Sequence, residues 1–171
     1  FRIRKVLSTI KHCLENDASV ILMSHLGRPK GRFNEALSLM PIGETLCDHL
    51  EMSIKFSKDC ISSDALNVSL GLQPGEIHLL ENLRFHSEEI DNESKFSQIL
   101  SKHGTCYVND AFGTAHRAHA SNVGVTEFFN KVSPGFLMET EYKFLFESMQ
   151  SPKRPLTIIL GGAKIKSKLP L

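Results

Sequence analysis

Basic residues follow short apolar runs at four places in this sequence. The runs cover residues 20–23, 77–80, 106–108 and 157–160. Such runs are typical of strands buried on both faces of a parallel sheet, and an open parallel sheet binds its ligand outside the carboxyl ends of its strands. Arginine suits phosphate and carboxylate because its planar guanidinium donates two parallel hydrogen bonds. The pattern therefore predicts one site for an anion, assembled from several loops.

The first of these loops offers His25, Gly27 and Arg28 directly after its apolar run. Glycine lets a backbone approach a ligand closely, and the two basic side chains project from the end of the strand. The alternative is a solvated surface loop in which Lys30 and Arg32 only keep the protein soluble. For this loop alone, the residues favour neither interpretation.

Arg84 follows the second run by four residues. An arginine at this position can bind an anion, or it can form an ion pair with a nearby glutamate and hold its own loop in place. The candidate partners are Glu81, Glu88 and Glu89. Taken singly, the ion pair is the favoured interpretation.

The third loop is crowded with polar and basic side chains among small residues. Within eleven residues it carries Asn109, Asp110, His116, Arg117 and His119. Small residues around arginine and histidine indicate a shaped surface rather than a floppy loop. Two histidines three residues apart are compatible with a metal, but no third ligand has suitable spacing, so we predict no metal site.

The fourth loop places Gly161 and Gly162 after a predicted strand, with Lys164 and Lys168 behind them. Glycine amides and lysine charges of this kind can bind a phosphate. The spacing is not that of a Walker A loop, and G-x-G-x-x-G does not occur, which argues against a dinucleotide site. If these loops did not form one site, basic residues would have to follow four strands of one sheet by four separate coincidences.

Hydrophobic spacing predicts helices and strands that alternate along the chain. We expect helices over residues 3–14, 38–50, 62–70, 92–103 and 137–149, and strands over residues 18–23, 54–56, 76–80, 105–108 and 156–160. Ser38 is the expected N-cap of the second helix, and Gly104 is the expected C-terminal cap of the fourth.

This alternation predicts β-α-β units with right-handed crossovers. The expected fold class is α/β, a doubly wound, mostly parallel, Rossmann-like sheet with helices on both faces. We expect one domain over residues 1–171, because this length is ordinary for a single core and no linker interrupts the chain. The opening helix follows no strand, so we expect the first strand of the sheet to lie upstream of residue 1.

Composition narrows the classes of function. The net charge is +1 and the chain has two Tyr and no Trp, which disfavours nucleic-acid binding. No apolar run approaches the length of a membrane helix, and the basic first residues lack the features of a secretory signal. Cys13, Cys47, Cys60 and Cys106 form no C-x-x-C pair, so we expect reduced thiols in a cytoplasmic protein.

Five strings of this sequence resemble the phosphoglycerate kinase family, and they occur in the family's order. They are SHLGRPKG at 24–31, LLENLRF at 79–85, YVNDAFGTAHRAHAS at 107–121, GFLME at 135–139 and ILGGAK at 159–164. The resemblance extends over essentially the whole chain, and it is to the N-terminal, substrate-binding domain of the family.

The resemblance implies a glycolytic enzyme that transfers a phosphoryl group reversibly from 1,3-bisphosphoglycerate to ADP, giving 3-phosphoglycerate and ATP. The residues that it assigns to the substrate are Arg2, His25, Leu26, Gly27, Arg28, Arg84, His116 and Arg117. Arg2 and Lys164 match residues that act on the transferring group, and Lys168 matches a nucleotide-binding lysine. These roles suit phosphoryl transfer, which depends on positioning and charge neutralisation.

The resemblance also implies ATP or ADP with Mg²⁺, held mainly by a C-terminal domain beyond residue 171. Without that domain we expect the chain to be inactive alone. The whole enzyme is expected to be a cytoplasmic monomer with small-molecule substrates and no nucleic-acid or membrane partner. Two residues depart from the family pattern, since Ser167 stands where the family has Asp and Pro170 falls where the family continues a helix. The alternative function is a non-catalytic anion-binding α/β module.

Overall fold

Helices and strands alternate along most of the chain. The computed structural model describes residues 2–157 and 159. Within them the α-helices are α1 Arg2–Glu15, α2 Met40–Leu50, α3 Ser63–Leu70, α4 Glu88–Asp91, α5 Ser94–Ser101 and α6 Phe136–Gln150. The β-strands are β1 Val20–Leu22, β2 Ile54–Ser57, β3 Ile77–Leu80, β4 Tyr107–Asn109 and β5 Val132–Pro134.

All the described strands pair in parallel, in two sheets. One sheet has the order β1-β3-β2, and β4 and β5 form the other. Ile77 of β3 lies opposite Val20 of β1 and Ile54 of β2, which sets the register of the larger sheet. Parallel strands with intervening helices agree with the predicted α/β class, although the described strands form two hydrogen-bonded sheets where one was expected.

The central strand β3 is buried on both faces. All four of its residues are buried, and successive side chains of a strand point to opposite faces. Ile77 packs in one cluster with Ile10 of α1 and Leu46 of α2. Leu80 packs in a second cluster with Phe96 of α5. Helices therefore cover both faces of the sheet. The loops with basic residues lie at its carboxyl end.

Side-chain caps explain two helix starts. Ser62 Oγ accepts a hydrogen bond from the first turn of α3 at 3.2 Å, as its position predicts. Ser38 lies one residue before the N-cap position of α2, which is Leu39, so the predicted cap is displaced by one residue. The reason is Glu81, whose carboxylate binds both Ser38 Oγ and Leu39 N and so caps the helix from outside.

The fourth predicted helix is shorter than expected. α5 begins after Glu93, whose carboxylate accepts a hydrogen bond from Phe96 N at 2.6 Å. Asn92 instead ends α4 in the left-handed conformation, with φ of 54°. The last cap of α5 is Lys102 in right-handed helical conformation, so the prediction of Gly104 as the cap is wrong.

Strand β5 has no predicted counterpart. Its three residues are exposed and include Pro134, so they show neither burial nor alternation. The predicted strand over 156–160 is not seen at residues 156, 157 and 159, which lie in no strand, and its other residues are outside the described part of the chain.

The contacts divide the chain into two compact units, residues 1–139 and 140–171. The first unit contains both sheets. In the second, Tyr142 and Phe146 stack with ring centroids 5.3 Å apart. The expectation of one domain over residues 1–171 stays a prediction. No helix in the described part of the chain is both long enough and apolar enough to cross a membrane.

Candidate anion-binding site

A buried glutamate fixes the loop that follows β3. Glu81 Oε1 accepts hydrogen bonds from the backbone N of Leu39 and of Asn82, both at 2.8 Å, and Oε2 accepts one from Ser38 Oγ at 2.7 Å. Its carboxylate is therefore used by the start of α2 and by its own loop. Among the described residues Glu81 forms no ion pair with Arg84, and neither Glu88 nor Glu89 does so.

Asn82 joins the loops that follow β1 and β3. Its Nδ2 donates to the backbone O of Leu26 at 2.8 Å and of Leu37 at 2.9 Å. Its Oδ1 accepts a hydrogen bond from Arg84 N at 3.1 Å. One side chain thus satisfies three backbone groups, so the two loops hold each other in place.

Arg84 is almost completely buried, with 6% of its surface exposed. Its Nη1 donates to Gly27 O at 2.9 Å, whereas its buried Nε has no hydrogen-bond partner among the described residues. Gly27 has φ of +65°, and a Cβ there would lie 2.7 Å from Leu37 Cδ2, so this turn favours glycine. Arg84 is therefore oriented by one carbonyl and keeps N–H groups that no described residue uses.

Arg117, in the loop after β4, shares this feature. Its Nε is buried and has no hydrogen-bond partner in the described part of the chain. Its backbone is held, because Arg117 N donates to Thr114 O at 2.9 Å and Asn122 Nδ2 donates to Thr114 O at 2.8 Å. A buried donor without a partner costs about 1–3 kcal/mol. Two such donors on neighbouring loops indicate a site that a ligand completes.

Glu89 of α4 holds the loop that follows β4. Its Oε1 accepts a hydrogen bond from Ser121 Oγ at 2.6 Å, and its Oε2 accepts one from Ser121 N at 2.9 Å. Its backbone O accepts another from Ala120 N at 2.8 Å. His119 Nδ1 lies 3.6 Å from Oε1. These contacts fix the segment directly after Arg117.

Asp110 supports the same loop from its other end. Its Oδ2 accepts a hydrogen bond from Thr9 Oγ1 of α1 at 2.6 Å, and its Oδ1 accepts one from Met138 N at 3.1 Å. Phe136 N donates to Thr9 Oγ1 at 3.1 Å. The carboxylate therefore ties the end of β4 to α1 and to the first turn of α6.

The basic groups of these loops lie close enough to perturb one another. Burial lowers the pKa of Arg84, and the charges of Arg117 and Arg28 lower it further. Burial also lowers the pKa of His119, followed by the charges of Arg84, Arg117 and His116. An anion would relieve this mutual repulsion. The structure thus places Arg28, Arg84, Arg117 and His116 in one cluster, which we call the cationic cluster.

The first loop contributes to the cluster mainly through its backbone. Leu26 O and Gly27 O accept the hydrogen bonds that position Asn82 and Arg84. Arg28 and His116 are exposed beside them, and His25 is half-buried at the end of β1. The roles of these side chains in substrate binding stay predictions.

Three further predicted site residues are not tested by their placement. Arg2 begins α1, and its side chain is not described. Lys164 and Lys168 lie outside the described residues. Their assignments to the transferring group and to the nucleotide stay predictions as well.

Sequence reasoning did not assign Asn82, Glu89 or His119 to the site. An uncharged amide directly after a buried strand is the signal that could have identified Asn82. Glu89 belongs to the acidic segment 88–91, which is typical of a solvated helix start, so nothing in the sequence indicates its burial. His119 was weighed only as a metal ligand beside His116, and the structure places it next to a carboxylate.

Parallel strands covered by helices, with two arginines after the strands whose buried Nε groups are unpaired among the described residues, define an α/β protein with a site suited to an anion. The family model of phosphoglycerate kinase matches residues 1–171. The chain therefore belongs to the phosphoglycerate kinase family, which confirms the resemblance seen in the sequence.

Relatives and solved structures agree with this assignment. The chain is 47% identical over 168 residues to the phosphoglycerate kinase of Chlorobium chlorochromatii and 47% identical to that of Borreliella burgdorferi strain ZS7. The phosphoglycerate kinase structures from Pyrococcus horikoshii OT3 and Coxiella burnetii match with TM-scores of 0.88 and 0.85, at 33% and 32% identity. Each match covers 98% of this chain and 42% of the other protein. The α/β class is confirmed, and the chain spans less than half the length of these relatives.

Proposed function

We propose that this chain supplies the phosphoglycerate-binding part of a phosphoglycerate kinase. That enzyme transfers a phosphoryl group reversibly between 1,3-bisphosphoglycerate and ADP, giving 3-phosphoglycerate and ATP in glycolysis. The observation that carries the proposal is the pair of arginines, Arg84 and Arg117, whose buried Nε groups have no partner among the described residues. Membership of the family supplies the substrate class.

3-Phosphoglycerate suits the cationic cluster because it carries a phosphate at one end and a carboxylate at the other. Guanidinium groups donate paired hydrogen bonds to either anion. Arg84 is oriented by Gly27 O, and the backbone at Arg117 is held by Asn122 and by the Glu89 contacts that follow it. Donors that are ordered before the ligand arrives lose less conformational entropy on binding.

In this proposal the cluster binds and orients its substrate and transfers no proton. Arginine stays protonated in proteins, and phosphoryl transfer depends on alignment and charge neutralisation. Arg2 and Lys164 neutralise the transferring phosphoryl group, and Lys168 contacts the nucleotide phosphates.

ATP or ADP with Mg²⁺ supplies the phosphoryl donor or acceptor in the whole enzyme. The cationic cluster does not fit Mg²⁺, because this cation prefers oxygen ligands and the side chains gathered here are arginines and histidines. We therefore assign the nucleotide and its metal to other parts of the enzyme. We also propose that the full-length enzyme is a cytoplasmic monomer.

Calorimetric titration with 3-phosphoglycerate tests the site. We expect Arg84→Ala and Arg117→Ala each to weaken binding about ten- to hundredfold, since hydrogen bonds to charged groups contribute about 1.5–3 kcal/mol. Arg32→Ala is the matched control, because Arg32 is an exposed arginine in the first loop. If both variants bind as the parent does, the proposed site is wrong.

Two measurements separate the kinase from a non-catalytic anion-binding module. A simple anion module would bind inorganic phosphate as tightly as 3-phosphoglycerate, whereas we expect a clear preference for the latter. A coupled kinase assay tests whether the nucleotide site lies outside residues 1–171, and we expect no turnover from these residues alone. Ordinary kinase rates from this chain would refute the assignment of the nucleotide site to other residues.

A further inference from the structure

One buried carboxylate, Glu89, lies on α4, which packs against the turn 83–85 that carries Arg84, and it binds Ser121, four residues after Arg117. The residue is 1% exposed, and it forms no ion pair with Arg84 or Arg117 among the described residues. Both of its carboxylate oxygens accept hydrogen bonds from Ser121, at 2.6 Å and 2.9 Å. One donor on each oxygen is the pattern that an ionised carboxylate satisfies.

This carboxylate acts on Arg84 through its charge. Burial and the charges of Arg117 and Arg28 lower the pKa of Arg84, and Glu89 is the group that raises it. In return, the pKa of Glu89 is raised overall by its burial, an effect that the hydrogen bonds from Ser121 and the charge of Arg84 oppose. A carboxylate in direct contact would occupy guanidinium donors. At its actual position Glu89 supplies negative charge and leaves those donors for a ligand.

We propose that Glu89 is a positioning residue that serves as the internal counter-charge of Arg84 until a ligand anion takes over that role. The ligand is the phosphate or carboxylate of phosphoglycerate, so the inference rests on the proposed function. In the free chain Glu89 offsets the repulsion that Arg84 receives from Arg117 and Arg28. In the complex its charge opposes the ligand. Stability and affinity therefore depend on Glu89 with opposite signs.

The test is Glu89→Gln, with Glu88→Gln as the matched control. Glu88 is the exposed neighbour on the same helix, so its removal changes the net charge equally. We expect Glu89→Gln to bind 3-phosphoglycerate and inorganic phosphate about three- to tenfold more tightly, because a buried unit charge near the site is screened little. The same variant should unfold at a lower urea concentration. Glu88→Gln should bind within about twofold of the parent.

Ser121→Ala separates the charge of Glu89 from its hydrogen bonds. This variant loses the 2.6 Å hydrogen bond to Oε1 and keeps the carboxyl group itself. We expect lower stability without tighter binding. A merely structural Glu89 would behave in the same way, with stability lost and no gain in affinity. Unchanged or weaker binding by folded Glu89→Gln overturns the proposal.

If Glu89→Gln does not fold in chloride buffer, added phosphate provides the decisive measurement. Phosphate should raise its melting temperature, followed by circular dichroism at constant ionic strength, by more than it raises those of the parent and Ser121→Ala. The parent and Ser121→Ala control for the non-specific stabilisation that phosphate gives proteins. No excess gain overturns the proposal.

The parent titrations distinguish this inference from the proposed function. A parent chain that binds phosphate without preferring 3-phosphoglycerate contradicts the proposed function. In that case the phosphate affinities of the parent and of Glu89→Gln still test the role of Glu89. A parent chain that binds neither anion contradicts both.

Discussion

Two clusters of polar side chains lie near β3, and they differ in how their buried N–H groups are paired. In the cationic cluster, the Nε groups of Arg84 and Arg117 have no partner in the described part of the chain. In the second cluster, both ring nitrogens of His78 and of His103 have one. Since an unpaired buried donor costs about 1–3 kcal/mol, the first cluster gains from a ligand and the second is complete without one.

The donors of the second cluster, the histidine chain, can be assigned one by one. Cys60 O can only accept, so His103 Nε2, 3.0 Å away, carries a proton. If His103 is neutral, its Nδ1 accepts from Ser69 Oγ at 2.6 Å, and Ser69 Oγ accepts from His78 Nδ1 at 2.8 Å. His78 Nε2 then accepts from Ser57 Oγ at 2.8 Å. With both rings neutral every N–H and O–H in the network has an acceptor, and burial lowers the pKa of both histidines, which favours these neutral forms.

Acid should produce the largest effect, and it should act on the histidine chain. Burial, together with the charges of His103 and Lys55, lowers the pKa of His78 to about 4, against about 6.5 in an unfolded chain. Between these values the unfolded chain binds a proton that the folded chain does not. The free energy of unfolding therefore falls as the pH falls through this window, by about 3 kcal/mol for His78 alone. Burial also lowers the pKa of His103, which adds to the loss.

Urea unfolding at several pH values between about 7 and 4 measures this loss, and NMR of the His78 ring follows its titration. Return to neutral pH should restore the native signal, which controls for aggregation. A folded His78 that titrates at its ordinary pKa would show that the histidine chain is not a neutral, closed network.

The next effect belongs to the cationic cluster. Arg84→Met should weaken 3-phosphoglycerate binding about thirty- to hundredfold and change the free energy of unfolding by less than about 1 kcal/mol. Methionine fills similar space, Arg117 loses a like-charged neighbour, and Gly27, whose carbonyl loses its donor, is exposed to water. Calorimetry measures the loss of affinity, and urea unfolding measures the change in stability. Arg32→Met is the control for both measurements. A large loss of stability with unchanged affinity would reverse the roles of the two clusters.

The sequence predicted the cationic cluster better than the histidine chain. Arg84 and Arg117 each follow an apolar run, which is a local pattern that predicts basic residues at the ends of strands. Their strands β3 and β4 belong to different sheets, so the meeting of the two loops also depends on tertiary contacts such as that of Glu89 with Ser121. The histidine chain has no local pattern, because Ser69 and His103 are 34 residues apart and His78 stands inside a run that reads as an apolar strand. Long-range polar pairing of this kind depends on tertiary packing.

The missed parts of the fold have a related cause. β5 and α4 are short, with three and four residues, and their sequences show neither alternation nor a hydrophobic stripe. Helices such as α1 and α6 were predicted within one or two residues because their apolar spacing repeats over several turns. Glu89 lies on α4, so its burial could not be predicted from the acidic sequence around it.

Ser69→Ala should break the histidine chain and leave the ligand site intact. We expect the free energy of unfolding to fall by about 2 kcal/mol, because two buried imidazole nitrogens lose their shared partner. Binding of 3-phosphoglycerate should stay within about twofold of the parent, since Ser69 does not contact the cationic cluster. Urea unfolding and calorimetry test this, and Ser63→Ala, at an exposed position of the same helix, is the control. Weaker binding by Ser69→Ala would show that the clusters are coupled.

Gly27→Ala should have the smallest overall effect of the four changes, and it tests whether the carbonyl of residue 27 orients Arg84. Alanine at φ of +65° costs about 1 kcal/mol, and its Cβ would press on the flexible end of Leu37. We expect this loss of stability together with a three- to tenfold weaker affinity for 3-phosphoglycerate. The weaker affinity is roughly the effect of shifting the carbonyl that accepts the hydrogen bond from Arg84 Nη1. Gly113→Ala is the control, because a Cβ there meets nothing within 4 Å. If Gly27→Ala loses stability and keeps its affinity, Arg84 does not depend on this carbonyl, and burial alone orients the guanidinium.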